Sequence, residues 1–141
     1  MASPTPSTQH PKPVLIVIGS ETDTPKIEPA FKVLDDAGIG YDFYASSAHR
    51  KPKETGALIE GAKAKGYRVV IAGAGLSAAL PGFAASLTDL PVIGVPFAVG
   101  PLNGLDALYA TVQVPPGVPV ACVGIDNAKN AAHLAIRILK A

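Results

Sequence analysis

The run of residues 14–18, VLIVI, constrains the fold of this chain most. It is continuously apolar, mostly β-branched, and it ends at Gly19. A strand with one face in water alternates apolar and polar residues, whereas a continuously apolar strand is covered on both faces, as in parallel sheets flanked by helices. The run therefore predicts a first strand that lies between two layers of helices.

Short apolar runs and helix-like segments alternate along the rest of the chain. Further strands are predicted at residues 41–45, 69–72, 91–95 and 118–123. Helices are predicted at about residues 24–37, 52–65, 81–87, 104–112 and 126–139. Strands separated by helices pair in parallel through right-handed crossovers. The pattern predicts a three-layer α/β/α sandwich with a flavodoxin-like parallel sheet.

Three helix starts carry specific predictions. Thr24-Pro25 offers an N-cap, but Pro29 lacks a backbone N–H, so the first helix is expected to become regular nearer Glu28. Asp106 is predicted to cap the fourth helix. Asp126 and Asn127 are predicted to cap the last one.

The length of 141 residues fits one domain with a single core. Residues 14–141 are expected to form this single α/β domain, and the Pro/Ser/Thr-rich residues 1–13 are expected to form a flexible tail. The tail has no apolar segment typical of a secretory signal, and no run approaches the roughly eighteen apolar residues of a spanning helix. A cytoplasmic protein is predicted. Cys122, the only cysteine, lies in an apolar run and is expected to be an inert strand residue.

The composition bears on partners. Charged residues make up 16% of the chain, and hydrophobic residues 48%. Soluble domains average about 25% charged residues, so part of this surface is expected to be buried against other subunits in a homo-oligomer. The net charge of +1 gives no electrostatic reason to expect nucleic acid or an anionic membrane as a partner.

Polar residues follow the second predicted strand in the segment SSAHR, residues 46–50. The carboxyl ends of parallel strands are where ligands bind, and this exit carries two hydroxyls, an imidazole that can exchange protons near neutrality and a guanidinium suited to phosphate or carboxylate. His49 and Arg50 are therefore candidate site residues, although a histidine in a loop is often only structural. His10 and His133 lie in the tail and on the last helix and are poor candidates.

Two other strand exits are expected at the same edge of the sheet. The first loop, GSETD, carries Ser20, Thr22 and Asp23, which suit a phosphate or ribose and suit helix capping equally well. The loop of residues 73–79 is nearly free of side chains and allows a flat ligand close to backbone amides. No metal-ligand spacing, nucleophile elbow or nucleotide motif is present. The loops favour proton transfer on a phosphorylated small molecule.

Seven ordered segments carry a family resemblance over about residues 14–139: GSETD, SSAHR, AGAG followed by ALPG, LPVIGVP, NGLDAL, VQVPPGVPV and NAKNAAHLA. Together they resemble the 5-(carboxyamino)imidazole ribonucleotide mutase and aminoimidazole ribonucleotide carboxylase family of purine biosynthesis. The resemblance implies a flavodoxin-like subunit of an octamer, active sites at subunit contacts, a ribonucleotide substrate, and no metal or organic cofactor.

The resemblance also implies residue roles. His49 would be the catalytic general acid and base, and Ser20, Asp23 and Arg50 would bind the phosphate and ribose of the substrate. Residue type alone, and not the resemblance, suggests that the small and apolar third loop forms the wall of a carbon dioxide pocket. The predicted substrate-binding set is Ser20, Asp23, Ser47, Arg50, Gly75, Leu76, Ser77 and Leu80.

The chain combines patterns of the two branches of this family. The mutase branch typically has a second histidine in GGAAHLPG, where this chain has Ala79. Residues 75–83 are close to the AGRSNALSGF of the carboxylase branch, with Leu76 in place of its arginine, whereas Arg50 and the two segments after residue 102 are mutase-like. The resemblance favours the mutase. Direct carboxylation with free carbon dioxide, and a non-catalytic protein that binds phosphoribosyl ligands, are the alternatives.

Overall fold

Five parallel strands form the centre of the computed structural model, which describes residues 11–141. The strands are β1 (Val14–Ile18), β2 (Tyr41–Ala45), β3 (Val69–Gly75), β4 (Val92–Phe97) and β5 (Ala121–Cys122), in the order β2-β1-β3-β4-β5. The helices are α1 (Thr24–Asp36), α2 (Pro52–Glu60), α3 (Leu80–Leu87), α4 (Leu105–Val112) and α5 (Ala128–Lys140). This order is that of flavodoxin-like sheets, so the predicted fold class is confirmed.

The residues of β1 explain the three layers. Val14, Ile16 and Ile18 pack against α1 and α5 on one face of the sheet. Leu15 and Val17 pack against α2, α3 and α4 on the other. All five are fully buried, as predicted from the unbroken apolar run.

Two predicted strands are longer than expected. β3 continues through Gly75 and β4 through Phe97, and these two residues pair in register. Residues 73–79 were expected to form a loop, and residues 76–79 do so. The prediction was wrong for residues 73–75, because the ring of Phe97 lies where a side chain on Gly73 would stand, so glycine here permits close packing within the sheet.

Two other elements are shorter than predicted. β5 spans Ala121–Cys122 instead of residues 118–123, since it is an edge strand that pairs only with Ile93 and Gly94. Cys122 is half-buried there, and burial raises the pKa of its thiol. α2 ends at Glu60, and the following turns contain Gly61, a residue of poor helix propensity.

The helix starts differ from the sequence predictions at three of four positions. α1 begins at Thr24 and contains Pro29, which removes one hydrogen bond within the helix and does not delay its start. Gly104 is the N-cap of α4, so Asp106 lies in the first turn, and its Oδ1 is buried with no partner among the described residues. Asn127 caps α5 as predicted, by accepting from the Asn130 amide, but Asp126 does not cap it.

The amino-terminal edge of the sheet is closed by a polar network. Asp42, which is 7% exposed, accepts from the Tyr67 hydroxyl and from Lys12 Nζ, the latter at 2.9 Å. Burial and the bond to Asp42 raise the pKa of Tyr67. The Pro13 carbonyl accepts from the amides of residues 68 and 69. Residues 12 and 13 thus contact the domain, while most of the predicted tail, residues 1–10, lies outside the described residues.

Between residues 11 and 141, no helix has the length and apolar character needed to cross a bilayer.

Candidate active site

Four loops meet at the carboxyl edge of the sheet. They follow β1, β2, β3 and β4 and enclose a cavity of about 320 Å³. β1 and β3 are neighbours in the sheet, while the chain passes from β1 outward to β2 before it returns to β3. The cavity therefore lies at the switch point of the strand order, where open α/β sheets bind ligands.

All nine residues of the predicted site line this cavity. They come from three loops that are separated in sequence, and parallel pairing brings the loops to one edge. The residues are Ser20, Asp23, Ser47, His49, Arg50, Gly75, Leu76, Ser77 and Leu80.

Sequence reasoning missed one wall of the cavity. Val99, in the loop after β4, also lines it. Only the exits of the first three strands were predicted to form the site. The signal was available, because the exit of a fourth parallel strand must face the same edge as the first three.

Two buried hydroxyls hold the loop after β2. Thr55 on α2 is fully buried, and its Oγ1 donates to the Ser47 carbonyl at 3.0 Å. Since that bond uses the one hydroxyl proton of Thr55, the 2.6 Å contact with Ser46 Oγ has Ser46 as donor. The Ser46 amide donates to the Ile18 carbonyl, which ties the loop to β1. The backbone of this loop is thus fixed from two sides.

His49 and Arg50 extend from this fixed backbone. Both lie in a turn and are exposed, and the Arg50 amide donates to Ser47 Oγ at 3.1 Å. No hydrogen bond or ion pair within residues 11–141 occupies the imidazole or the guanidinium. The imidazole and the guanidinium can therefore donate hydrogen bonds to a ligand, and their backbone is already fixed. This arrangement is suited to an anionic ligand that enters from solvent.

The loop after β1 combines capping with a desolvated carboxylate. Ser20 Oγ accepts from the Thr22 amide at 3.3 Å, so the capping interpretation holds for this serine. Asp23 ends a single 3₁₀ turn, Glu21–Asp23. Burial raises the pKa of the Asp23 carboxyl, Lys26 lowers it and Asp126 raises it.

The loop after β3 forms an apolar wall with one strained residue. Leu76 has φ of +54° and is 48% exposed, and leucine rarely adopts this left-handed conformation. Ala78 and Leu80 are each 2% exposed beneath it. The Leu76 side chain also lies close to the loop after β4, which contains Val99 and Gly100. A Cβ atom added to Gly100 would be only 2.9 Å from Leu76 Cδ2. The two loops together form one apolar surface.

The described residues, 11–141, hold no group of three His, Cys, Asp or Glu side chains that could bind a metal ion. The polar groups that face the cavity are hydroxyls, one carboxylate, one imidazole and one guanidinium. Such a set can bind a phosphorylated sugar and move a proton.

The fold and the cavity together define a flavodoxin-like α/β protein with a small-ligand pocket at the switch point of its sheet. The family described as AIR carboxylase matches residues 13–141. The chain therefore belongs to the AIR carboxylase family, and the resemblance seen in its loops is confirmed.

Individual relatives agree with this assignment. The chain is 50% identical to N5-carboxyaminoimidazole ribonucleotide mutase of Pyrococcus horikoshii over 134 residues, which cover 94% of this chain and 76% of that protein. It is 47% identical to phosphoribosylaminoimidazole carboxylase of Saccharomyces cerevisiae, over 92% of this chain and 23% of that protein. The crystal structure of PurE from Treponema denticola superimposes with a TM-score of 0.82 and 30% identity, over 90% of this chain and 79% of that chain.

Proposed function

We propose that this chain is an N5-carboxyaminoimidazole ribonucleotide mutase of purine biosynthesis. The observation that carries the proposal is the convergence of three family-like loops on one cavity, in a chain that is half identical to the Pyrococcus horikoshii mutase. The reaction moves a carboxylate from the exocyclic nitrogen of the substrate to its ring carbon. It is an isomerisation, so no electrons are gained or lost.

The substrate would lie across the first two loops. Arg50 would bind the phosphate, because its guanidinium forms charge-assisted hydrogen bonds to phosphate oxygens. Ser20 and Ser47 would add hydroxyl contacts, and Asp23 would accept from the ribose hydroxyls. This placement leaves the imidazole ring of the substrate toward His49 and the loop after β3.

His49 would exchange the protons of the reaction. When the bond between nitrogen and carboxyl carbon breaks, carbon dioxide leaves and the exocyclic nitrogen takes up a proton. The electron-rich ring carbon then forms a bond to carbon dioxide, and the proton on that carbon must be removed. One imidazole can donate in the first step and accept in the second.

The loop after β3 would keep carbon dioxide in the cavity between the two steps. Carbon dioxide has no charge and few hydrogen-bonding options, so it is retained by a small closed space and backbone amides. Leu76, Ala78 and Leu80 supply apolar surface, and Gly75 and Ser77 supply amides without bulky side chains. Ala79 lies on the same wall, so in this chain the second histidine of the mutase branch is replaced by a methyl group.

The subunit would assemble into a homo-oligomer, an octamer by family resemblance. α4 and the loop before it carry four exposed apolar side chains at helical spacing: Leu102, Leu105, Tyr109 and Val112, which are 45% to 60% exposed. An apolar face of this kind is typical of a surface that another subunit covers. Sedimentation velocity of wild type and Tyr109→Glu tests this point, and an unchanged sedimentation coefficient in the variant would contradict it.

The function is tested by two assays run side by side. One supplies the carbamate substrate in low bicarbonate, and the other supplies aminoimidazole ribonucleotide in high bicarbonate. We expect faster formation of the ring-carboxylated product from the carbamate. Turnover that depends on free carbon dioxide would instead identify a direct carboxylase. Binding of ribonucleotide without turnover in either assay would indicate a binding protein.

A further inference from the structure

Asp126 connects two walls of the cavity from a position outside it. It lies between β5 and α5, and its amide donates to the Pro96 carbonyl at 2.8 Å. Its Oδ1 accepts from the Ala98 amide at 2.9 Å. The residue therefore holds the chain on both sides of Phe97, immediately before Val99 enters the cavity wall.

The second oxygen of the same carboxylate reaches the other wall. Asp126 Oδ2 accepts from Lys26 Nζ at 3.2 Å, and Lys26 lies on the first turn of α1. Asp23, which lines the cavity, is three residues earlier in the chain. One carboxylate thus bridges the loop after β4 and the turn that presents Asp23.

The backbone of Asp126 is adapted to this bridge. Its φ is +56°, in the left-handed region that aspartate and asparagine tolerate better than other non-glycine residues. It does not cap α5, because Asn127 does so. The helix start therefore does not explain the carboxylate, whereas the two contacts to the cavity walls do.

We propose that Asp126 is a positioning residue for the ribonucleotide site, which sets the loop of Ala98 and Val99 and, through Lys26, the environment of Asp23. The identity of the ligand in this inference rests on the proposed function. The bridging geometry does not.

The charged groups around Asp23 make its pKa a test of the inference. Glu21 lies on its own turn, Lys26 on α1 and Asp126 ahead of α5, while His49 and Arg50 line the same cavity. Of these, Lys26 lowers the pKa of Asp23 and Asp126 raises it. Removing the charge of Asp126 therefore leaves Lys26 to lower the pKa of Asp23, and removing Lys26 leaves Asp126 to raise it.

The first experiment follows the carboxyl of Asp23 by carbon-13 NMR in protein without ligand, with Asp23→Asn to assign the signal. In Asp126→Asn the Ala98 amide keeps an oxygen acceptor, the left-handed backbone is tolerated, and the negative charge is lost. We expect the pKa of Asp23 to fall in this variant. In Lys26→Met we expect it to rise. Shifts in the same direction, or no shifts, would overturn the coupling to Asp23, because loss of packing alone has no reason to give opposite signs.

The second experiment separates the carboxylate from the backbone. Asp126→Gly adopts the left-handed conformation freely but cannot accept from Ala98 or Lys26. We expect exchange of the Ala98 amide hydrogen to accelerate by about tenfold or more, and KM for the ribonucleotide to rise by about tenfold with kcat within a few-fold, since a charge-assisted bond is lost. If the Ala98 amide exchange rate and KM in Asp126→Gly both equal the wild-type values, the inference is overturned.

The chain offers a matched control in Lys63 and Asp89. They form an ion pair of similar length, 3.0 Å, at the opposite edge of the sheet. Lys63→Met and Asp89→Asn should leave KM, Ala98 exchange and the Asp23 titration unchanged. Because the titration and the exchange need no turnover, a failure of the proposed function would appear as an inactive wild type, and a failure of this inference as unchanged NMR signals.

Discussion

Charged side chains differ in burial and in pairing between the two edges of the sheet. At the amino edge, Asp42 is buried and both its oxygens are occupied, by Lys12 and Tyr67. At the carboxyl edge, His49 and Arg50 lie exposed on a fixed backbone. Buried polar groups stabilise a fold only when they are paired, whereas a site needs groups that a ligand can still pair. We therefore propose that polar side chains contribute mainly to stability at the amino edge, whereas the exposed ones at the carboxyl edge bind the ligand.

The carboxyl edge also carries backbone strain that the amino edge lacks among the described residues. Leu76 and Asp126 both have positive φ and both belong to the cavity or its supports. Strain of this kind persists only when the surrounding structure holds it, and it clusters where function requires a particular geometry. Substitutions at this edge should therefore change activity more than stability, and those at the amino edge the reverse.

The largest effect is expected from His49→Asn. The variant should lose about 10²- to 10⁴-fold in kcat, or about 3–5 kcal/mol of transition-state stabilisation, because asparagine cannot exchange the proton. Ribonucleotide affinity and thermal stability should remain near wild type, since the imidazole is exposed. Steady-state kinetics and calorimetric titration measure these quantities. His133→Asn, on the exposed side of α5, is the control, and a fully active His49→Asn enzyme would remove this histidine from the mechanism.

Arg50→Ala is expected to act on binding. Loss of a charge-assisted phosphate contact should raise KM by about 10- to 100-fold, equivalent to about 1.5–3 kcal/mol. The free energy of unfolding should be unaffected, because no hydrogen bond or ion pair within the described residues holds the exposed guanidinium. Arg137→Ala on α5 is the matched control. An unchanged KM would mean that the phosphate binds elsewhere.

Tyr67→Phe tests the amino edge. Removing the hydroxyl leaves one oxygen of buried Asp42 without its donor, so the free energy of unfolding should fall by about 1–3 kcal/mol. KM and kcat should not change. Chemical denaturation and kinetics distinguish the two edges, and an equal loss of activity would contradict their separation. Tyr41→Phe should cost less, because the Tyr41 hydroxyl donates to Asp35 over 3.4 Å.

The same tyrosines predict loss of stability at high pH. Burial, with Asp35 nearby, raises the pKa of Tyr41 from 10.0 to about 12, and the pKa of Tyr67 is raised too. When the pKa of a tyrosine is raised by folding, its hydroxyl loses the proton at a lower pH in the unfolded chain than in the folded one. The contribution of this tyrosine to the free energy of unfolding is therefore fully present below pH 10 and is lost as the pH rises toward 12. Tyr67→Phe should show a shallower decline over this range than wild type.

The smallest effect is expected from Leu76→Gly. Glycine relieves the left-handed strain and should add about 0.5–1 kcal/mol to the free energy of unfolding. The variant also opens the apolar wall, so more carbon dioxide should escape and more aminoimidazole ribonucleotide should appear as a by-product. Asn103→Gly, at φ of +52° outside the cavity, is the control for backbone relief alone. If the variant is more stable and releases no more aminoimidazole ribonucleotide than wild type, the wall does not retain carbon dioxide.

Particular residues show how far the sequence could be read. Alternation of apolar and helical segments predicts all five strands and the fold, and residue types at the strand exits predict a site that the structure assembles in one cavity. The ends of β3 and β4 were wrong because they depend on Phe97 packing over Gly73, which local patterns do not contain. Val99 was missed because an aliphatic residue in a loop carries no chemical signal of its own, and only the position of its loop, at the exit of a fourth parallel strand, indicated it.

The sequence by itself determined which segments form strands and helices and which side chains stand at their ends, because periodicity and turn chemistry act over a few residues. Only the tertiary structure decided which ends meet. The bridge of Asp126 spans 28 residues to Ala98 and 100 residues to Lys26, and the sequence predicted that residue as a simple cap. Contacts over such separations follow from the strand order and from helix packing on the sheet, which place α1, α5 and the exit of β4 side by side.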